Sequence, residues 1–185
     1  MSDSAFSLLT SYIRNASEPT LWLADENLLS AQLDPNPSVK TVTNRIDLQQ
    51  QLQHQGWNAF FSDYDLDLIE DNTLSQVIYR ISKEKPVVHH LINESFRCLK
   101  PGGKLILAGE KNEGIKTYFS KGKNLFGDGQ SSKADKGTWL IELIKENSSG
   151  SLLDEQDYHH LRVVKNDEQF EYQSKPGIFG WDKID

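Results

Sequence analysis

The sequence is poor in the residues that build disulfides, metal cages and membrane spans. Cys98 is its only cysteine, which excludes an intramolecular disulfide and a thiolate metal cage and points to a reducing cytoplasm. Glycine is missing before Gly56, so no glycine turn can follow any apolar run in the first 55 residues. The opening MSDSAFSLLTSYIRN has an early acid and no sustained apolar stretch, unlike a signal peptide or an anchor. Net positive charge is also lacking. A formal charge of -7 and a pI near 5.2 exclude a surface dominated by phosphate contacts, so a nucleic-acid role needs a local patch. What is present suits a folded cytoplasmic globule: 185 residues, 37% of them hydrophobic, with four tryptophans.

Apolar spacing predicts alternating helices and strands. Ala5, Leu8, Leu9, Tyr12 and Ile13 recur at helical spacing, and Thr20 to Ala24 form a first apolar run. Ser38 to Thr43 is a β-branched strand, followed by Asn44 as a helix cap and a glutamine-rich helix carrying Leu48 and Leu52. Trp57 to Ser62 and Leu74 to Ile81 read as strands. Val88, Leu91, Ile92, Ser95, Phe96 and Leu99 form the clearest amphipathic stripe, closed by Lys100-Pro101-Gly102-Gly103 before the strand Leu105 to Ala108. Ile115, Tyr118 and Phe119 begin another helix, and Gly137 to Lys145 is rich in strand formers. The alternation predicts an α/β fold with a mostly parallel sheet covered on both faces. A boundary is expected near residue 150, where Asn147 to Leu153 breaks the pattern; 1–150 then form the domain and 151–185 an extension with a β-hairpin around Asn166-Asp167-Glu168. The ending, with Phe179, Trp181 and Ile184, is unusually apolar and reads as a segment about to enter another domain.

KEKPVVHHLINESFRCLKPGGKLILAGEKNEGIKTY, then a tryptophan-bearing strand, then KPGIFGWDKID, resembles the N-terminal half of the bacterial 16S ribosomal RNA guanine-N2 methyltransferases, most closely from Gln76 to Asp185. The resemblance implies a Rossmann-like class I methyltransferase fold with a degenerate cofactor site, followed in the parent protein by a second such domain. That second, C-terminal domain would bind S-adenosylmethionine and catalyse transfer, while the first helps the protein fold and holds 16S rRNA or the small subunit. The native gene is accordingly expected to continue past Asp185.

The residues support a degenerate site. A cofactor-binding sheet needs glycines after its first strand, because only a backbone without Cβ turns tightly against the ligand. Here Ala24-Asp25-Glu26-Asn27-Leu28-Leu29 follows, with Asp25 and Glu26 expected as solvated loop acids or caps. Enzymes that methylate an exocyclic base nitrogen carry Asn-Pro-Pro-aromatic after the fourth strand; this chain has Ile78-Tyr79-Arg80-Ile81-Ser82-Lys83, with Tyr79 either stacking on a base or packing at the core edge. No catalytic, cofactor-binding or metal-ligating residue is assigned.

Lys111, Lys116, Lys121 and Lys123, with Lys133 and Lys136 beyond them, form a lysine-rich stretch with Tyr118, Phe119 and Phe126 interleaved, either an RNA-facing patch or a solvated face. His89-His90 and His159-His160 are adjacent pairs whose side chains diverge, so they are expected as solvated histidines rather than metal ligands. Cys98 is expected to be a buried, inert thiol. The acidic run from Asp63 to Asp71 lacks the glycine and closing glutamate of a calcium loop and reads as solvated. Three functions remain open: a non-catalytic methyltransferase-like domain, a free-standing enzyme with an atypical cofactor loop, and a protein-interaction module without an RNA role.

Overall fold

The computed structural model describes residues 3–25, 33–134, 137–147, 150–167 and 169–178. In chain order the elements are α1 (Ser4–Arg14), β1 (Thr20–Ala24), β2 (Val39–Thr43), α2 (Ile46–His54), β3 (Asn58–Phe61), β4 (Leu74–Arg80), α3 (Lys85–Cys98), β5 (Leu99–Glu110), α4 (Ile115–Phe126), β6 (Gly127–Lys133), β7 (Thr138–Lys145), β8 (Arg162–Asn166) and β9 (Glu171–Ser174). The first seven strands form one sheet of order β3-β2-β1-β4-β5-β7-β6. β3, β2, β1, β4 and β5 pair in parallel, whereas β7 runs antiparallel to both β5 and β6. This is the class I methyltransferase arrangement that the sequence led us to expect. β8 and β9 form the separate antiparallel hairpin.

The strict side-chain period of a strand divides the core in two. Trp22, Ile78, Ile106 and Ala108 face α1 and α2, where Phe6, Leu9, Ile13, Leu48, Leu52 and Trp57 cover them. Leu21, Leu23, Val77, Tyr79, Leu105 and Leu107 face the opposite side, against Val88, Leu91 and Ile92 of α3 and Ile115 and Leu125 of α4. Strands buried on both faces are why β1 and the centre of β5 read as continuous apolar runs rather than alternations.

Four local expectations change. Lys100 to Gly103 does not separate helix from strand: β5 begins at Leu99, opposite Leu74, and these residues bulge out before pairing resumes at Gln76 and Lys104. Gly102 takes a left-handed φ of 78° there, which the missing Cβ permits. Arg45 rather than Asn44 caps α2, its N–H donating to Thr43 Oγ1 at 3.2 Å. β6 is a strand with no large apolar residue, formed because its backbone completes the ladder with β7. His89 and His90 are buried at 0% and 3% exposure rather than solvated, whereas His159 and His160 are exposed. Two remote segments cover the outer face of α3. The carbonyl of Tyr64 lies 3.0 Å from His90 Nε2, Tyr158 stacks on the same ring at 4.3 Å, and His89 Nδ1 meets the carbonyl of Asp154. Asn93 completes the cover by donating to the carbonyl of Leu153 and accepting from its N–H, each at 2.9 Å.

Candidate functional site

In a parallel α/β sheet, ligands bind beyond the carboxyl ends of the strands where the strand order reverses, here between β1 and β4. A cavity of about 600 Å³ occupies that place, with Asp25, Asn44, Tyr64, Arg80, Glu84 and Gly177 among its walls. Asp25 lines this cavity and is buried at 7% exposure rather than solvated; Glu26 lies outside the described residues. Tyr64, with a left-handed φ of 54°, reaches across from the β3–β4 loop, and its hydroxyl donates to the carbonyl of Ala24 at 3.3 Å. Its ring therefore covers the end of β1.

Arg80, the last residue of β4, holds the centre of the rim. Its side chain is 6% exposed, and it pairs with Asp3 at 3.0 Å and with Glu113 at 2.7 Å, while also donating to the carbonyl of Ile81. Asp3 caps α1 by accepting from the N–H of Phe6, and Glu113 accepts from the N–H of Glu110, so one guanidinium ties α1, β4 and the β5–α4 turn together. Burial opposes its charge, but the two carboxylates more than offset it and hold the guanidinium above its ordinary pKa. Beside it, Tyr79 is 1% exposed; its hydroxyl accepts from the N–H of Ser82, and burial raises its pKa. Of the two readings of Tyr79, the structure gives the packed one. These groups can hold elements in place, and no nucleophile and base are paired among them.

The lysines do not form one patch. α4 starts at the carboxyl rim and runs away from it. Lys116 and Lys123, seven residues apart, share a face, while Lys121 is about 140° round from Lys116, towards α3. Lys111 is exposed in the 3-10 turn Lys111–Glu113 before α4, and Lys116 sits over the Trp139 ring at 4.2 Å. Lys123 donates to the carbonyl of Gly129 at the far end of the helix. Tyr118 and Phe126 are core residues at 6% and 0% exposure, so they are not available to stack on bases; their spacing marks the buried face of α4. Lys136 lies outside the described residues, as do Phe179, Trp181 and Ile184.

Cys98 is fully buried, and burial pushes its thiol up to about 11. The acidic run carries its acids outward while Tyr64, Leu66 and Ile69 enter the core, and Asp71 pairs with Arg97 at 2.7 Å. Among the described residues no group of His, Cys, Asp or Glu is placed to hold a metal ion, and no helix is long and apolar enough to cross a membrane.

The sheet order and the site at its rim define a class I methyltransferase-like domain with an ion-paired arginine at the end of β4. The chain belongs to the methyltransferase small domain N-terminal family, whose model matches residues 17–137. No curated protein matches the sequence. Among solved structures, the chain is similar to the T. thermophilus 16S rRNA N2 G1207 methyltransferase RsmC, solved with AdoMet and guanosine, at 21% identity and a TM-score of 0.76 over 99% of this chain and 49% of that one. It thus spans about half the length of that protein. It is also similar to an rRNA methylase from Streptococcus thermophilus (14% identity, TM-score 0.51, 80% of this chain and 99% of that one) and to YcgJ from Bacillus subtilis (12%, 0.52, 78% and 99%). At these identities the likeness is one of fold.

Proposed function

We propose that this chain is the non-catalytic N-terminal domain of an S-adenosylmethionine-dependent 16S rRNA guanine-N2 methyltransferase. In this reading residues 1–150 are a degenerate methyltransferase-like domain, and 151–185 lead into a C-terminal catalytic domain that holds the cofactor. The domain serves as a scaffold for that partner and as a holder of the rRNA substrate in the cytoplasm. Family membership and the match to half of RsmC support the placement in a longer protein.

The observation that carries the loss of chemistry is Arg80. An exocyclic amine needs a side-chain amide and a carbonyl to orient it at the end of β4, and there this chain has a cation already paired to Asp3 and Glu113. The cofactor fits the other half of the cavity equally poorly, since the turn after β1 has no glycine and Tyr64 covers the strand end. The test is a methyl-transfer assay on small ribosomal subunits, comparing residues 1–185 with the product of the full gene. Activity confined to the longer protein is expected; transfer by residues 1–185 alone would overturn the proposal.

A further inference from the structure

Three lysines at the amino end of the sheet have polar partners. Lys100 is 3.6 Å from Glu18 and Lys104 is 3.7 Å from Glu142, while Lys145 is buried and donates to the carbonyls of Phe96 and Leu99 and to Asn72. Among the described residues there, Arg14 and Lys40 have no carboxylate partner, and Lys40 lies 5.3 Å from the centre of the Phe60 ring. The carboxyl rim is different. Lys83 and Lys85 follow β4, Lys111 and Lys116 follow β5, and Lys133 ends β6. All five are exposed, and none has a carboxylate partner among the described residues. Register puts them at one level: Arg80 pairs with Ala108, Gly109 with Trp139, and Trp139 with Lys133.

Several acids of the same rim are neutralised from within. Asp3 and Glu113 are taken by Arg80, and Asp63 by Lys175, while Glu84 lies beside Lys83 and Lys85, Glu110 beside Lys111, and Asp65 and Asp67 are exposed on the loop after β3, at the opposite edge of the sheet from β6. A chain of formal charge -7 thus carries a local band of unpaired lysines. One of them is held in place: Lys116 lies 4.2 Å above the half-buried Trp139 ring, which limits its rotamers without neutralising it.

We infer that the carboxyl rim of the sheet, through Lys83, Lys85, Lys111, Lys116 and Lys133, is a binding track for the phosphodiester backbone of single-stranded RNA. The inference rests on the RNA-holding part of the function proposed above and moves the contact from the lysine-rich stretch Lys111 to Lys136 to the rim. Phosphates suit separated ammonium groups, each a point charge on a flexible stem, and the spread over three strand ends suits a chain of phosphates better than one small anion. Lys121 and Lys123, farther down α4, are outside the track.

The test uses a fluorescent 20-nucleotide single-stranded RNA of mixed sequence, with anisotropy titrations of residues 1–185 across a series of KCl concentrations. Glutamine at all five rim positions is compared with Lys121→Gln/Lys123→Gln and with Lys100→Gln/Lys104→Gln, each variant first checked for an unchanged melting temperature. At about 0.7 per phosphate contact in a single strand, five contacts give a log–log salt slope steeper than about -3, which the rim variant should flatten together with a loss of at least about tenfold in affinity at low salt. The two control variants should keep the wild-type slope. Wild-type binding that survives the rim changes, or that falls with Lys121 and Lys123 instead, would overturn the rim assignment alone. No salt-dependent binding by the wild type would overturn the RNA-holding role as well.

Discussion

Replacing Arg80 by methionine keeps most of the side-chain volume and removes the charge that joins α1, β4 and the β5–α4 turn. Asp3 and Glu113, 20% and 7% exposed, would then face each other without a counter-charge. Removing one partner of a buried ion pair costs about 3–5 kcal/mol, because the remaining charge has lost its water and gained nothing. In a protein of this size that is a fall in Tm of roughly 6–20 °C. Arg45→Met is the matched control: its pair with Asp47 is 40% and 60% exposed, and exposed pairs contribute about 0–1 kcal/mol. Urea unfolding of both variants gives the difference directly. Adding Glu113→Gln to Arg80→Met should recover part of the loss, since it removes the stranded charge. If Arg80→Met costs no more than Arg45→Met, the buried triad does not organise the rim.

Two further changes probe the cover over α3 and the core. Asn93→Ala leaves both the N–H and the carbonyl of Leu153 without their partner, so limited proteolysis should cut near residues 150–158 faster than in the wild type while the sheet stays protected. Burial raises the Cys98 pKa from an ordinary 9.0 to about 11, so the contribution of the neutral thiol is complete below pH 9 and is lost as pH rises towards 11. Urea midpoints of Cys98→Ala should accordingly fall less steeply than those of the wild type across that range, and the native thiol should resist labelling at pH 8.

The parts of the fold legible in the sequence were those with a period. Val88, Leu91 and Ile92 of the stripe face the sheet as their spacing required, with Phe96 packed against them, and β1, β4 and β5 lie where the apolar runs are. Period alone did not show that the other side of α3 is covered too, because its cover comes from Tyr64 and from the segment around Leu153 to Tyr158, far away in the chain. β6 was illegible for the opposite reason: its strand comes from pairing with β7, and no side chain announces it. At the site, the missing glycines and the missing Asn-Pro-Pro run could be read directly. Arg80 could not, since its partners are 77 and 33 residues distant. The lysine-rich stretch is contiguous in the sequence, whereas Lys111 and Lys116 share the carboxyl rim with Lys83, Lys85 and Lys133 from other strand ends.

The loss of cofactor binding is the claim on which the proposed function turns, and calorimetric titration of S-adenosylmethionine into residues 1–185 tests it most directly. With Tyr64 over the end of β1 and no glycine turn beyond it, no saturable heat and no rise in melting temperature are expected, because a ligand specific for the native state must stabilise it. Saturable binding in the micromolar range, with a matching rise in melting temperature, would contradict the degenerate site and favour a free-standing enzyme with an atypical cofactor loop.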